Sequence, residues 1–325
     1  MPEVSPSVLI IRLDAIGDAL ALTPLLAALQ RRSIAADVLL SEASAGVFSS
    51  RAARAIVARA VALRSSATSN LTEIERLGRE LRERNYGCVL VATEDPAGYR
   101  LAGAIGAPKS VGFADPWGKP FKTIWSRRLV RRTIYRSAGL DRRAPHECEV
   151  LFRLGSDLVG DESPTRDASV LRPLVLEREP EPDERVAIQI TDKWERLGIP
   201  FEQVVEMIRR VAATGEPHLL SAANEASYAQ RVADATGLAV SRFAEIEAWK
   251  AAIGAAPAIV TPDSGALHVA GTIGTPVVAV FPGQRSYALQ VARWSPWAAP
   301  HRVVRADGDW PTRAAEALAH LLVLR

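Results

Sequence analysis

Residues 8–29 read VLIIRLDAIGDALALTPLLAAL, and how this stretch is read decides the fold. VLIIR is a short, nearly continuous apolar run, the form taken by a strand buried on both faces of a sheet. It ends in an acidic, glycine-containing turn and passes at once into GDALALTPLLAALQRR. There Leu20, Leu25 and Leu29 stand among small residues, and Arg31 and Arg32 close the segment at the negative end of a helix dipole. Pro24 loosens that helix in its middle. Strand, tight turn and helix predict an α/β unit on a parallel sheet, whose ligands gather beyond the carboxyl ends of the strands.

The alternation continues outward from this start. ADVLLSE (36–42) reads as a strand, RAARAIVARAVALRSSA (51–67) is a long Ala/Arg segment of low complexity, and TSNLTEIERLGRELRERNYG (68–87) keeps Leu71, Ile74, Leu77 and Leu81 at helical spacing up to Gly87. CVLVATE and KSVGF read as further strands around the helical AGYRLAGAIGAP, which predicts a doubly wound parallel sheet. Between residues 155 and 185 the text turns acidic and proline-rich, GSDLVGDESPTRDASVLRPLVLEREPEPDER, and reads as a solvated linker. The expected domains are therefore 1–165 and 180–325. In the second, VAIQI, HLLS, AIVTP and VVAVF are strands, and Phe201, Val204, Val205, Ile208 and Val211 form a helical stripe between Pro200 and Gly215. The closing TRAAEALAHLLVLR is an amphipathic helix whose apolar face could pack back on the first domain.

Composition agrees with two folded domains. The chain has 325 residues, 48% hydrophobic and 24% charged, far from the signature of disorder. The formal net charge is only +3, yet Arg127, Arg128, Arg131, Arg132 and Arg136 crowd one stretch. That cluster is either a solvated helical face or a site for an anionic partner. Aromatics do not interleave it as they do in nucleic-acid binders, so no nucleic-acid partner is expected. Cys88 and Cys148 lie far apart and outside any C-x-x-C pair, which suits a reducing cytoplasm and argues against a disulfide framework or thiolate metal site. MPEVSPSVLIIRLDA carries no readable signal peptide. Apolar runs stop well short of the roughly 20 residues of a membrane helix, so any membrane contact is expected to be peripheral, at the inner face.

Two turns carry the chemistry. After the first strand, Asp14 and Asp18 flank a lone Gly17, where a dinucleotide fingerprint would have three glycines. Two carboxylates repel a phosphate, but an ionised carboxylate held beside a substrate hydroxyl can take its proton. The structural alternative makes Asp14 a turn cap and Asp18 a partner of the helix dipole. The second turn lies in AIVTPDSGALHVAGTIGTPVVAVF (258–281), where Ser264 and Gly265 begin a helix whose N–H groups can face a diphosphate. Asp263 could accept from nucleotide hydroxyls, and His268 falls one turn along from Ser264. Here the alternative is a helix cap and a half-buried histidine. No G-x-S-x-G elbow surrounds Ser264, which disfavours a hydrolase triad. In TDKW (191–194), Lys193 could neutralise a leaving diphosphate. Asp307-Gly308-Asp309 spells a D-x-D motif but precedes a Trp-Pro helix start, and the five histidines are scattered, so no metal site and no cofactor is expected.

VLIIRLDAIGDALALTPLLAAL and VTPDSGALHVAGTIGTPVVAVFPG together, in this order, resemble the two hallmark segments of glycosyltransferase family 9, the ADP-heptose lipopolysaccharide heptosyltransferases. The likeness continues through GAPKSVGF, HECEVLFRL, TDKW and RWSPW. It implies a GT-B glycosyltransferase fold of two Rossmann-like domains facing a cleft, the first binding acceptor and the second a nucleotide sugar. It further implies inverting, metal-independent transfer of a heptose-like sugar from ADP-heptose to an anionic glycolipid acceptor. By resemblance Asp18 is the catalytic base. Thr191, Lys193, Glu225, Asp263, Ser264, Gly265 and His268 are implied on the donor side, and Asp14, Gly17, Arg127, Arg128 and Arg131 fall on the acceptor side. Two departures stand out: IQITDKW has no glycine where relatives carry a phosphate loop, and residues 51–67 are less varied than their counterparts. A non-catalytic nucleotide- or glycan-binding protein, or a transferase using another nucleotide sugar, would fit the same fold.

Overall fold

The computed structural model describes residues 8–58, 69–136 and 145–323. The leading MPEVSPS and residues 59–67 of the low-complexity segment lie outside them. The chain divides into two compact units, Met1–Thr165 and Arg166–Arg325. The first holds β1 (Val8–Arg12), β2 (Ala36–Ser41), β3 (Arg54–Ala58), β4 (Cys88–Val91), β5 (Lys109–Ala114) and β6 (Arg132–Tyr135), in the order β3-β2-β1-β4-β5-β6. The second holds β7 (Val186–Gln189), β8 (Pro217–Ala222), β9 (Val240–Phe243), β10 (Ile259–Pro262), β11 (Val277–Pro282) and β12 (His301–Ala306), in the order β12-β11-β10-β7-β8-β9. Every pairing is parallel, with β1 flanked by β2 and β4, and β10 by β7 and β11.

Both sheets begin at an inner strand and wind outward in both directions. The order reverses between β1 and β4 in the first unit and between β7 and β10 in the second. At such a switch point the loops leave toward opposite faces, opening a crevice beyond the strand ends. Val8–Arg12 is buried along its whole length, as its apolar run requires. Leu9, Ile11, Val89, Val91 and Tyr99 centre the first core, and Ile188, Val260, Trp194 and Trp310 the second.

Two local expectations are corrected. The helix after β1 is two helices, Ile16–Leu20 and Thr23–Arg31. Pro24 does not loosen a middle: it sits in the first turn of the second helix, where its missing N–H leaves no bond unmade, and the Thr23 hydroxyl donates to the Leu20 carbonyl at the break. The Ala/Arg segment contributes β3. The closing helix, Trp310–Val323, commits its apolar face to the second unit's own core through Trp310, Ala314, Leu318 and Leu321.

The stretch read as a linker also holds a packed helix, Ala168–Val175, with Leu171, Leu174 and Val175 buried. Arg172 ties it down by donating to the carbonyls of Ile273 (3.0 Å) and Gly254 (3.0 Å), the C-terminal ends of two other helices. The fully buried Lys250 donates to the Val175 carbonyl at 2.6 Å. Leu171→Ala should therefore destabilise the second unit by about 2–5 kcal/mol in urea unfolding of the full chain, as for other buried leucines. A loose linker would give a change near zero.

Candidate functional site

In the first unit a charge network closes the crevice between β1 and β4. Arg12, the last residue of β1, is 1% exposed, and a guanidinium taken out of water needs partners for its donors. Its Nε donates to the Asp18 carbonyl (3.0 Å), one Nη to Asp18 Oδ1 (3.0 Å), and the other to the Ala92 carbonyl just past β4. Asp14 Oδ2 lies 3.5 Å and Glu147 Oε1 3.7 Å from the same guanidinium. Glu147, wholly buried in the first turn of helix Glu147–Leu154, also accepts from Arg136 at 2.6 Å. Arg136 reaches on to Glu94 (3.2 Å) beyond β4, which Lys119 and Lys122 hold from the other side. Burial alone would raise the Glu94 carboxyl, but the Lys119 hydrogen bond and the charges of Arg136, Lys122 and Lys119 outweigh it and bring it down to about 2.

Asp18 thus has one carboxylate oxygen pinned while its side chain stays 33% exposed, reachable from solvent. It lies in the first turn of helix Ile16–Leu20 with the buried Gly17, and that helix takes no side-chain cap, so Asp14 does not cap it. Asp14 and Asp18 do not leave the turn a negative corner: Arg12, Arg136, Lys119 and Lys122 answer Asp14, Asp18, Glu94 and Glu147. What distinguishes the corner is a fixed, accessible carboxylate rather than net charge.

Arg127, Arg128 and Arg131 are not brought to Asp18. They lie exposed in the turn that enters β6, at the amino end of the strands, where Arg131 bonds the Ser110 hydroxyl and the Ala107 carbonyl before and at the start of β5. Arg136, past the end of β6, is the member of that run that reaches the crevice. Sequence reading missed Arg12, Glu94 and Glu147. A lone arginine inside the buried strand VLIIR was the available signal, because such a charge requires carboxylates nearby.

In the second unit, turns after β7, β8 and β10 supply the expected donor-side residues. The Thr191 hydroxyl donates to Glu225 Oε1 at 2.6 Å and accepts from the Lys193 N–H at 3.2 Å. Burial, with the neighbouring Asp192 charge, raises the Glu225 carboxyl against the Thr191 bond that lowers it. Trp194, fully buried, fixes the turn by stacking on Trp310 (5.7 Å) and donating to the Gln189 carbonyl (2.9 Å), so Lys193 projects from an immobile base. Across the switch point, Asp263 Oδ1 lies 3.8 Å from His268 Nε2. Burial would raise the Asp263 carboxyl, but the hydrogen bond and charge of His268 and the charge of Lys193 lower it.

Helix Gly265–Ile273 starts at Ser264, whose hydroxyl bonds Thr261 Oγ1 (2.9 Å) and does not cap the helix. Helices beginning after Asp95, His146 and Asp167 are each capped by that side chain. The first N–H groups after Ser264 therefore remain for another acceptor, on a positive dipole end. The D-x-D motif is otherwise engaged: Asp307 pairs with Arg305 and Arg313, and Asp309 accepts from the Thr312 hydroxyl at 2.6 Å.

Residues 205–319 match the sequence model of glycosyltransferase family 9 (heptosyltransferase). No curated protein sequence matches the chain. Among solved structures it is similar to the family 9 glycosyl transferase of Veillonella parvula, at 15% identity, over 98% of this chain and 97% of that one, with a TM-score of 0.74. It is also similar to the Escherichia coli heptosyltransferase WaaC solved with ADP, at 18% identity over 98% and 99% of the chains (TM-score 0.72). The E. coli ADP-heptose lipopolysaccharide heptosyltransferase II is similar at 18% over 98% and 99% (TM-score 0.69). Residues 205–319, within the second unit, thus match the model of glycosyltransferase family 9 (heptosyltransferase), and the chain has the GT-B-like fold of two parallel sheets found in solved heptosyltransferases.

Proposed function

We propose that this protein is an inverting glycosyltransferase that moves a heptose-like sugar from an ADP-sugar to a hydroxyl of an anionic glycolipid. The observation that carries the reading is Asp18, whose carbonyl and one carboxylate oxygen each accept a hydrogen bond from Arg12 while its side chain stays a third exposed at the switch point of its sheet. A base that accepts a proton in the transition state gains from being fixed before reaction. In a single displacement, Asp18 takes the acceptor's hydroxyl proton, the oxygen bonds the anomeric carbon, and the carbon–oxygen bond to the diphosphate breaks. Lys193 and the N–H groups after Ser264 receive the charge of the departing ADP. Thr191 and Glu225 would meet the nucleoside hydroxyls, Asp263 and His268 the nucleotide, and no step is assigned to a metal ion or cofactor.

Acceptor binding belongs in this reading to Asp14, Gly17 and the cations around Glu94, not to Arg127, Arg128 and Arg131. ADP as the nucleotide is supported by the likeness to a heptosyltransferase solved with it. A cytoplasmic site of action is supported by two buried free cysteines, Cys88 and Cys148. No described helix is long and apolar enough to cross a membrane, which leaves peripheral contact as the route to a glycolipid.

Asp18→Asn should lower kcat by about 10²–10⁴-fold while ADP affinity, read by calorimetry, stays within about twofold. Unchanged transfer in that variant would remove Asp18 as the base. No transfer by the unaltered protein with any nucleotide sugar, alongside tight ADP binding, would instead favour a non-catalytic binding protein. Lys193→Met should weaken ADP by about tenfold, as loss of one charge-assisted contact to a phosphate does. A third expectation concerns pH. Glu94 ionises in the folded protein at about 2, against 4.5 for a free carboxyl. Its contribution to stability is therefore complete above pH 4.5 and drains away as pH falls toward 2. Urea midpoints of the protein and its Glu94→Gln variant should differ at pH 7 and converge through that window.

A further inference from the structure

The described residues expose few large apolar side chains, and three of them fall within residues 117–124. Trp117 is 84% exposed, Phe121 87% and Ile124 58%, whereas Val57, Leu71, Tyr135, Val170 and Val323 are scattered over both units. Phe121 and Ile124 are three apart on helix Pro120–Ser126 and share one side of it. Thr123 and Ser126 on the other side are buried, and the Thr123 hydroxyl accepts from the Asp115 N–H at 2.9 Å, so the helix is fastened with its apolar side outward. An apolar group this exposed gains nothing from the fold of its own unit.

The surroundings are cationic. Arg127 and Arg128 follow the helix directly, both exposed, and neither pairs with a carboxylate among the described residues. Arg100 lies 5.8 Å over the ring of the half-buried Trp125. The nearby acids are occupied: Asp115 is buried and accepts from the Gly118 N–H, and Glu94 is held by Lys119, Lys122 and Arg136. The complement of such a face is an apolar layer beneath negative charge. A polyanion alone would satisfy the arginines and leave Phe121 and Ile124 in water.

We propose that Trp117, Phe121 and Ile124, flanked by Arg100, Arg127 and Arg128, dock on the surface of an anionic lipid bilayer. Aromatic and aliphatic side chains enter the headgroup boundary while the arginines stay at the level of the lipid charges. The docking needs no nucleotide or acceptor, so it stands or falls separately from the transfer reaction.

The test is sedimentation of the full chain with vesicles of phosphatidylcholine alone and of phosphatidylcholine with roughly 30% phosphatidylglycerol, enough to make the surface potential negative. The protein should pellet with the anionic vesicles and release at high salt. The triple variant Trp117→Ser, Phe121→Ser, Ile124→Ser should lose about tenfold or more in partitioning, and Arg127→Glu with Arg128→Glu should lose the preference for anionic vesicles. All five positions are exposed, and an unchanged thermal midpoint in each variant shows that the fold is kept. Failure of the unaltered protein to pellet with anionic vesicles overturns the proposal, as does equal binding by the triple variant. Self-association that the triple variant abolishes, without vesicle binding, also overturns it by making the face a contact between copies of this chain.

Discussion

A guanidinium without water at the end of a parallel strand is the constraint on which the first unit's site depends. The desolvation of Arg12 is repaid only if its donors are met, and they are met by the two turns that bound the crevice. The Ala92 carbonyl comes from beyond β4 and the Asp18 carbonyl and carboxylate from beyond β1, so one side chain ties together the strands between which the sheet order reverses. Glu147, the least exposed carboxylate of the group, bridges Arg12 to Arg136 and draws in the start of another helix. Removing a buried member such as Arg12 or Glu147 would leave its buried partners short of a compensating charge, which costs more than the pair contributes. The geometry around Asp18 is therefore rigid for reasons of electrostatics rather than packing.

The second unit solves the same topological problem by other means. Its switch point is also flanked by turns after an inner and a neighbouring strand, but buried aromatics, not ions, hold it. Trp194 and Trp310 stack, and both indoles donate, to the Gln189 carbonyl and to Gln203 Oε1 at 2.6 Å. The half-buried Lys193 and the uncapped helix start at Gly265 are mounted on that apolar base. Rigid hydroxyl and amide donors suit a nucleotide diphosphate, whereas a pinned carboxylate suits a hydroxyl that must lose its proton.

How much of this was legible in the sequence follows from burial. The eight inner strands carry apolar runs because both their faces are covered, and seven of these runs, together with their turns, could be read directly; Ala36–Ser41, with Asp37 paired to Arg54, was readable too from its apolar middle. The strands that escaped reading are β3, β6, β9 and β12, the four edges. Their residues are largely exposed or half-buried, as in Arg132–Tyr135 and Val240–Phe243, so no continuous apolar signal marks them. The helix Ala168–Val175 escaped because prolines and acids on both sides gave the stretch a linker's composition. The residues proposed for the donor side were legible since each follows a readable strand by a few positions. The ion network was not, because its members come from five separate turns and only tertiary structure pairs them.

The arginine run shows why nearness in sequence misleads on a sheet. A strand rises about 3.3 Å per residue, so Arg131 and Arg136, on either side of β6, end up roughly 16 Å apart at opposite ends of that strand. One side of that division joins Glu147 and Glu94 in a buried network; the other remains in water beside Phe121 and Ile124. A single cluster in the text thus becomes two environments with different physics. In the buried one, each cation is matched by a carboxylate and serves to fix geometry. In the exposed one, the cations keep their charge for a partner, and the apolar side chains preceding them determine that this partner must offer more than charge.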